Sequence, residues 1–217
     1  MGEAVIIYGR SGSGKSRSLK NFGSDEILLV QAIKKTLPFR NNFKYSFVSR
    51  DVRVIMEQLQ KMTLKTAVID DAGYILTGEF MDKHRNLKGS SSFDLYNDVA
   101  DHYWALLNGI KQLPDDVIVY LIMHEDTNDY GDTKLRTIGK LLNDKVCIEG
   151  MCTVVLRCVV ENKEHLFITQ NTGNDVTKSP EEMFELKIPN DLKAVDVAIR
   201  EYYGLNKQTK KDTKEDK

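Results

Sequence analysis

The sequence lacks an excess of either charge: 31 Lys and Arg residues stand against 32 Asp and Glu residues, for a formal net charge of −1 over 217 residues. A near-neutral protein does not attract nucleic acid with its whole surface, so any nucleic-acid site must be a local basic patch. The chain also lacks an apolar run approaching the roughly 20 residues of a membrane span. Apolar residues still make up 41% of the chain, which is enough for a packed core and excludes global disorder.

Cysteine is scarce and its spacing has no pattern. Cys147, Cys152 and Cys158 form neither a C-x-x-C motif nor a zinc-binding arrangement, and an odd number cannot pair fully within the chain. Reduced thiols in the core of an intracellular protein are therefore expected. The first residues lack the basic segment of a signal peptide. We expect a cytoplasmic protein without membrane contact.

The apolar pattern of residues 1–150 predicts strands that alternate with helices. Buried strands are predicted at 4–8, 27–31, 45–48, 66–70 and 117–123, and helices at 16–22, 51–62 and 95–110. This order favours an α/β fold whose mainly parallel sheet is flanked by helices. After residue 150 the pattern predicts an antiparallel edge hairpin over 152–160 and 165–169, and a final helix from Asn190 or Asp191 to Tyr203.

The organisation predicted is one domain over residues 1–204, followed by a disordered charged tail over 205–217. Ser179-Pro180-Glu181-Glu182 has the pattern of a capping box, which predicts a short helix. Two long polar segments, 77–92 and 125–144, are predicted to be loops. Both follow the carboxyl ends of predicted strands, where open parallel sheets bind their ligands.

Residues 9–16 match the phosphate-binding pattern G-x-x-x-x-G-K-[ST], between a predicted strand and a predicted helix. Glycines let the backbone amides converge on phosphate oxygens, the lysine would reach the β- and γ-phosphates, and the final serine hydroxyl suits Mg²⁺. The expected ligands are therefore a nucleoside triphosphate and Mg²⁺. The candidate nucleotide-binding residues here are Gly9, Arg10, Ser11, Gly12, Ser13, Gly14, Lys15, Ser16 and Arg17.

Acidic residues at a strand end should complete such a site. Asp70 is the candidate acid for holding Mg²⁺, through a water molecule, and the Ser16 hydroxyl completes the metal site. Asp71 is a candidate for polarising the attacking water, and Glu79 and Glu125 are alternatives among which the sequence does not decide. His124, at the end of the next predicted strand, is either a sensor of the γ-phosphate or an ordinary polar residue at a strand end.

Basic residues in the two polar segments, interleaved with aromatic ones, suit single-stranded nucleic acid, since cations follow the backbone and rings stack on bases. The alternative is a solvated charged surface, because acidic residues lie close by in the sequence. The candidate nucleic-acid contacts are Lys83, Arg85, Lys88, Lys134, Arg136 and Lys140.

Over roughly residues 3 to 204 the chain resembles small phage-encoded RecA-like ATPases, the phage nucleotide-binding proteins, some of which are single-strand-annealing recombinases. The segments that carry the resemblance are GRSGSGKS (9–16), LPFR (37–40), VIDDAGYILTGEFM (68–81), HED (124–126), TIGKLLNDKVCIEG (137–150), TKSPEEMF (177–184) and IPNDL (188–192).

The resemblance implies a RecA-like P-loop NTPase core with Mg-ATP and single-stranded DNA binding, self-assembly and cooperation with a single-strand-binding protein. It also suggests that Lys178 reaches the γ-phosphate of a neighbouring subunit and that Pro180 lies near the adenine. The chain departs from RecA where Val30-Gln31-Ala32 ends a strand without a carboxylate. This departure leaves the identity of the catalytic base open.

The function expected is that of a DNA-stimulated P-loop ATPase acting in phage recombination, in which ATP raises the affinity for single-stranded DNA and promotes annealing or strand pairing. A small nucleoside or nucleotide kinase is an alternative, although such enzymes usually carry an arginine-rich lid and the second polar segment has only Arg136. A binding module with a slow ATP switch is the other alternative.

Overall fold

The structure is a computed structural model that describes residues 1–86, 91–139, 141–142 and 146–205. The predictions for Lys88, Lys140 and residues 206–217 lie outside these ranges. The strands are β1 (Glu3–Gly9), β2 (Leu28–Gln31), β3 (Tyr45–Val48), β4 (Thr66–Asp70), β5 (Ile118–Thr127), β6 (Thr133–Leu135), β7 (Val154–Glu161), β8 (Glu164–Ile168) and β9 (Lys187–Pro189). The α-helices are α1 (Val52–Lys61), α2 (Gly73–Lys83), α3 (Ser91–Lys111) and α4 (Leu192–Tyr202).

Within the described residues, one sheet of nine strands organises the molecule, in the order β3-β2-β4-β5-β1-β7-β8-β9, with β6 paired to β5. The neighbouring strands β3, β2, β4, β5, β1 and β7 are parallel. The remaining pairs, β7 with β8, β8 with β9 and β5 with β6, are antiparallel. This confirms the predicted α/β class and the antiparallel hairpin near the C-terminus. The arrangement of one domain followed by a tail stays a prediction.

Both faces of the central strands are buried, which explains their continuous apolar runs. In β1, Ile6 and Tyr8 pack with side chains from α1, α2 and α3 on one face. Val5 and Ile7 belong to the opposite cluster, which includes α4 and a short 3₁₀ helix over Ser16–Asn21. The alternation along the strand thus divides the core into two layers around the sheet.

The register of the parallel strands brings their carboxyl ends to one edge of the sheet. Gly9 at the end of β1 pairs with His124 of β5, and Gln31 at the end of β2 pairs with Asp70 of β4. Gly9, Asp70 and His124, three of the residues predicted to form the site, therefore lie at one edge of the sheet, hereafter the phosphate edge.

The prediction of a loop over 77–92 is wrong for most of that segment. α2 runs to Lys83, a 3₁₀ turn covers His84–Asn86, and α3 begins at Ser91. Polar composition suggested a loop, but the first part of the segment contains few helix-breaking residues, and tertiary packing decides the rest.

The loop predicted over 125–144 is also partly wrong. β5 continues to Thr127 and turns into β6, so the segment begins as a hairpin. Leu135 and Leu142 are buried in the core, which anchors the chain beyond the hairpin. The prediction weighed the charged residues of this segment and overlooked its apolar ones.

The capping-box helix at Ser179 is a further incorrect prediction. Residues 181–184 form turns, and Glu182 has a positive φ of 64°. Ser179 Oγ donates to the carbonyl of Thr169 and does not cap a helix. The final helix is confirmed: the side chain of Asp191 caps α4, and Gly204 follows it with a φ of 66°. Among the residues that the structure describes, no helix combines the length and apolar character needed to cross a membrane.

Candidate functional site

The backbone of residues 9–16 forms a tight turn between β1 and the 3₁₀ helix. Gly12 and Gly14 have positive φ values of 80° and 101°, a conformation that disfavours side chains. A Cβ atom on Gly14 would lie 2.6 Å from Nδ1 of His165. Glycine at position 14 is thus required both by the turn and by its neighbour.

Lys15 lies folded over this turn. Its Nζ donates to the carbonyl oxygens of Gly9 at 2.9 Å and Arg10 at 2.7 Å. Burial, the largest cause, lowers the pKa of Lys15, although the nearby carboxylates of Asp70 and Asp71 oppose the shift. A buried ammonium held only by carbonyls is well placed to exchange these contacts for stronger ones with phosphate oxygens.

The antiparallel end of the sheet supports the loop from behind. Nδ1 of His165 and Sγ of Cys158 both contact the carbonyl oxygen of Ser13, at 2.7 and 3.0 Å. Asn190 Nδ2 donates to Cys158 Sγ at 3.2 Å. Burial is the main reason that the pKa of the Cys158 thiol is raised to about 11, so it acts as a neutral donor. These contacts fix the loop to β7, β8 and the start of α4.

The hydroxyl of Ser16 joins the phosphate loop to β4. Ser16 Oγ donates to the two carboxylate oxygens of Asp70 at 2.9 and 3.1 Å. Asp70 is only 1% exposed, and burial is the main reason that its pKa is raised. A hydroxyl beside a carboxylate is a donor set that Mg²⁺ prefers, and the buried carboxylate gains from a cation, so these residues fit the predicted metal.

Asp71 takes a strained position just after β4. Its φ of 59° is uncommon for a residue other than glycine and is tolerated by aspartate. Its carboxylate contacts Lys35 Nζ and lies 3.6 Å from Nε2 of His124. Burial, followed by the charge of Lys15, lowers the pKa of His124, which favours a neutral ring.

Two connected clefts open at the phosphate edge. The phosphate cleft, of about 420 Å³, is lined by Gly14, Lys15, Ser16 and Arg17, together with Pro38 and His165. The rim cleft, of about 630 Å³, is lined by Arg10, Tyr74, Glu125, Asp126 and Arg136. Ser11, Lys35, Asp71 and His124 line both clefts. The arrangement can hold a chain of phosphates with its reacting end beside Asp71.

Glu125 lies at the rim but is already engaged. It is buried, accepts from Nε of Arg157 at 2.9 Å, and lies 3.7 Å from Nε of Arg10. Glu125 therefore ties the phosphate loop to β5 and β7. It is a weaker candidate for the water-orienting acid than Asp71.

Glu79 is not brought to the phosphate edge. It lies on α2, where it accepts from Lys83 Nζ at 2.6 Å and contacts Nδ1 of His102 at 2.8 Å. These residues line a different groove, of about 560 Å³. The unexpected helix over 73–83 carries Glu79 away, because a helix directs successive side chains around its axis.

Lys178 and Pro180 also lie apart from both clefts. The backbone of Lys178 pairs with Val155, in the first half of β7. Neither residue lines the phosphate cleft or the rim cleft. The predicted role of Lys178 toward a neighbouring subunit stays a prediction.

The predicted nucleic-acid residues that the structure describes fall into two groups. Lys83 is the last residue of α2, and Arg85 lies in the 3₁₀ turn that follows it. Lys83 pairs with Glu79. Lys134 is exposed on β6, and Arg136 lines the rim cleft with its Nη2 3.8 Å from Asp126. Only the second group adjoins the candidate nucleotide site.

Sequence reasoning missed three residues that shape the site: Lys35, Arg157 and His165. Lys35 could have been suspected because it follows the strand in which an acid was expected. Arg157 and His165 lie more than 140 residues from the phosphate loop in the sequence, and only the strand order brings them near.

Within the described residues, no group of three or more His, Cys, Asp and Glu side chains is arranged to hold a metal ion by itself. A metal at Ser16 and Asp70 would therefore need water, and phosphate oxygens where nucleotide is bound, to complete its coordination. Residues 1–185 match the family model described as an AAA domain. No curated protein sequence matches the chain.

Proposed function

The chain belongs to the AAA domain family, over residues 1–185, and from that premise we propose that it is a Mg-ATP-hydrolysing phage recombination protein that binds single-stranded DNA and promotes annealing or strand pairing. The observation that carries the ATPase part is the contact between Ser16 and Asp70. It brings a hydroxyl of the phosphate loop beside a buried carboxylate, two oxygen groups of the kind that would hold Mg²⁺.

The binding step uses the phosphate loop and Lys15. ATP would bind along the phosphate cleft, with backbone amides of the loop facing its phosphate oxygens. Lys15 would leave the carbonyls of Gly9 and Arg10 for the β- and γ-phosphates. Mg²⁺, held by Ser16 and Asp70, would neutralise phosphate charge when bound.

Hydrolysis in this proposal relies on Asp71 and His124. Asp71 lines both clefts and would orient the attacking water toward the terminal phosphate. His124, 3.6 Å from Asp71, would sense the loss of that phosphate. His124 directly precedes the part of β5 that pairs with β6, and its carbonyl oxygen accepts from the amide of Arg136 at 2.8 Å. Its movement would therefore reach Lys134 and Arg136 through this hairpin.

Binding of single-stranded DNA is supported by the hairpin beside the rim cleft. Tyr130, at its turn, is 91% exposed, and Lys134 follows on β6. An exposed ring with nearby cations suits stacking and backbone contacts with a single strand. By analogy with RecA-like ATPases, we further propose that the protein forms homo-oligomers and cooperates with a single-strand-binding protein.

The test is ATP turnover with and without a short single-stranded oligonucleotide, combined with size analysis. We expect turnover that rises with the oligonucleotide and a larger assembly with ATP. Lys15→Ala should abolish nucleotide binding while retaining the fold, and Lys20→Ala, which removes an exposed lysine of the 3₁₀ helix, is the matched control.

The outcomes separate the alternatives. Turnover that is indifferent to the oligonucleotide, without DNA retention at low salt, would remove the DNA part of the proposal. Phosphate transfer to an added nucleoside would indicate a kinase. Single-turnover hydrolysis near the uncatalysed rate would indicate a slow ATP switch. Normal ATP affinity in Lys15→Ala would contradict the site itself.

A further inference from the structure

Lys35 occupies an unusual place, in contact with both acids at the end of β4. Its Nζ pairs with Oδ2 of Asp71 and lies 3.8 Å from Oδ2 of Asp70. The two carboxylates are 1% and 7% exposed at their side chains, whereas the Lys35 side chain is 39% exposed. A mobile cation thus reaches two buried anions from the solvent side.

The ammonium of the phosphate loop is committed elsewhere. Lys15 Nζ is occupied by the carbonyls of Gly9 and Arg10. Burying two adjacent carboxylates without a paired cation is costly. Lys35 therefore supplies the direct positive partner of Asp71 and shares the neutralisation of Asp70.

The backbone that carries Lys35 is held independently of its ammonium group. Gln31 Nε2 donates to the carbonyl oxygen of Lys35 at 2.9 Å. The amide of Ala32 donates to the carbonyl oxygen of Asp70 at 3.1 Å. The side chain can consequently move or be substituted while the segment remains anchored to the ends of β2 and β4.

Position and charge together define a role. Asp70 Oδ2 is shared by Ser16 Oγ at 3.1 Å and, more loosely, by Lys35 Nζ at 3.8 Å. A divalent cation binding at Asp70 enters the field of that ammonium, and two like charges about 4 Å apart repel strongly near a protein surface. We propose that Lys35 is a resident counterion of the metal-binding carboxylates, which the divalent cation must displace when nucleotide binds.

The inference rests on the proposed Mg-ATP site and adds a positioning residue to it. After displacement, the Lys35 ammonium remains in the wall of both clefts, beside Thr36 in the phosphate cleft. There it is free to pair with the terminal phosphate. Lys35 would thus keep the carboxylates neutralised without nucleotide and release them only when a better cation arrives.

The test measures Mn²⁺ binding to the nucleotide-free protein by electron paramagnetic resonance, with Mn²⁺ as the probe for the divalent site. Lys35→Gln should bind Mn²⁺ about tenfold more tightly than wild type, because the competing charge is gone. Lys35→Arg should bind as weakly as wild type, since it keeps the charge. Lys34→Gln, at the exposed neighbouring position, controls for the general effect of removing one positive charge.

Equal Mn²⁺ affinities for Lys35→Gln and Lys34→Gln would overturn the inference. A loss of stability in Lys35→Gln without a change in Mn²⁺ affinity would also overturn it, since that outcome assigns Lys35 a structural role alone. If Lys35→Gln does not fold, Lys35→Arg decides: Mn²⁺ affinity at or below that of wild type supports the inference, and tighter binding overturns it.

Mg-ATP binding to wild type, measured by calorimetry in parallel, tests the premise separately. Wild type that fails to bind Mg-ATP refutes the proposed function. Wild type that binds Mg-ATP while Lys35→Gln matches Lys34→Gln refutes only the role of Lys35.

Discussion

The phosphate edge differs from a second region, the α2–α3 face, in the environment of its charged residues. The α2–α3 face consists of Glu79, Lys83 and Arg85, on or just after α2, and His102 of α3. At the phosphate edge, Lys15, Asp70 and Asp71 are nearly buried, and each touches another group of the site. On the α2–α3 face, Lys83 and its partner Glu79 form a helix-surface pair of the kind that stabilises little. Buried charges are retained at a cost, and such retention is characteristic of functional sites.

The sharpest contrast between the two regions concerns glycine. A Cβ on Gly14 would meet Nδ1 of His165 at 2.6 Å, and one on Gly78 of α2 would meet Arg50 at the same distance. Gly14 has a φ of 101° and a neighbour that is hydrogen-bonded to Ser13. Gly78 lies in a helix, and its neighbour is the end of a flexible side chain.

We expect Gly14→Ala to reduce ATP affinity at least about tenfold, since each lost hydrogen bond to a charged group costs roughly 1.5–3 kcal/mol. Gly78→Ala should leave ATP affinity unchanged, and its stability should change by less than about 1 kcal/mol, because helix propensity offsets the displaced Arg50. Calorimetric titration and urea unfolding measure the two effects. Equal losses of ATP affinity in both variants would erase the distinction between the regions.

The next contrast concerns DNA. Arg136 lines the rim cleft and Lys134 pairs with Asp126 of that cleft. Lys83, in contrast, is paired with Glu79 on the α2–α3 face. Changing Lys134 and Arg136 together to Glu should weaken binding of a labelled oligonucleotide about tenfold and reduce its salt dependence, as lost phosphate contacts do. The same double change at Lys83 and Arg85 should have a smaller effect. Fluorescence anisotropy at several salt concentrations measures both affinities. A larger loss of affinity in the Lys83 and Arg85 variant would place the DNA site on the α2–α3 face.

Particular residues show what could be predicted from the sequence. The strands β1, β4 and β5 were predicted because a run of apolar residues bounded by glycine or charge has few other solutions in a parallel sheet. The phosphate loop followed from its spacing, and Asp70 from its place at a strand end. These inferences depend on short-range geometry that residue types determine directly.

The missed features depend on long-range packing. α2 and the start of α3 replaced a predicted loop because polar residues are compatible with both, and the choice is made by burial of Ile75 and Leu76 against the sheet. His165 supports the phosphate loop only because β8 pairs beside β7. No local pattern in the sequence encodes either contact.

The substitution Asp70→Asn is expected to have a smaller effect, on stability, and it tests the cost of burying the charge of Asp70. Burial raises the folded-state pKa of Asp70 above its usual value of 3.8, so the folded state binds the proton more tightly than the unfolded state. Asp70 therefore contributes to the free energy of unfolding at acidic pH, and this contribution is lost as the pH rises through the raised pKa. Asp70→Asn should stabilise the nucleotide-free protein by about 0.5–2 kcal/mol at pH 7.5, as changes at functional sites commonly do.

The stability gained by Asp70→Asn should shrink as the pH falls toward 3.8, because Asp70 of the wild type is then itself protonated. Urea unfolding at several pH values measures it. A variant that is less stable than wild type at pH 7.5 would show that the contacts with Ser16 and Lys35 outweigh the cost of burial.

The smallest effect is expected at Glu79, and it completes the comparison. Glu79→Gln should change ATP turnover by less than about twofold, because Glu79 contacts His102 and Lys83 on the α2–α3 face and lines neither cleft of the phosphate edge. Stability should fall by no more than about 1 kcal/mol, as for other exposed ion pairs.

Asp71→Asn is the counterpart at the phosphate edge: asparagine tolerates the positive φ at that position, so the variant should fold yet lose most of its turnover. Steady-state phosphate release measures both variants, and a larger loss in Glu79→Gln than in Asp71→Asn would place the water-orienting acid on the helical face.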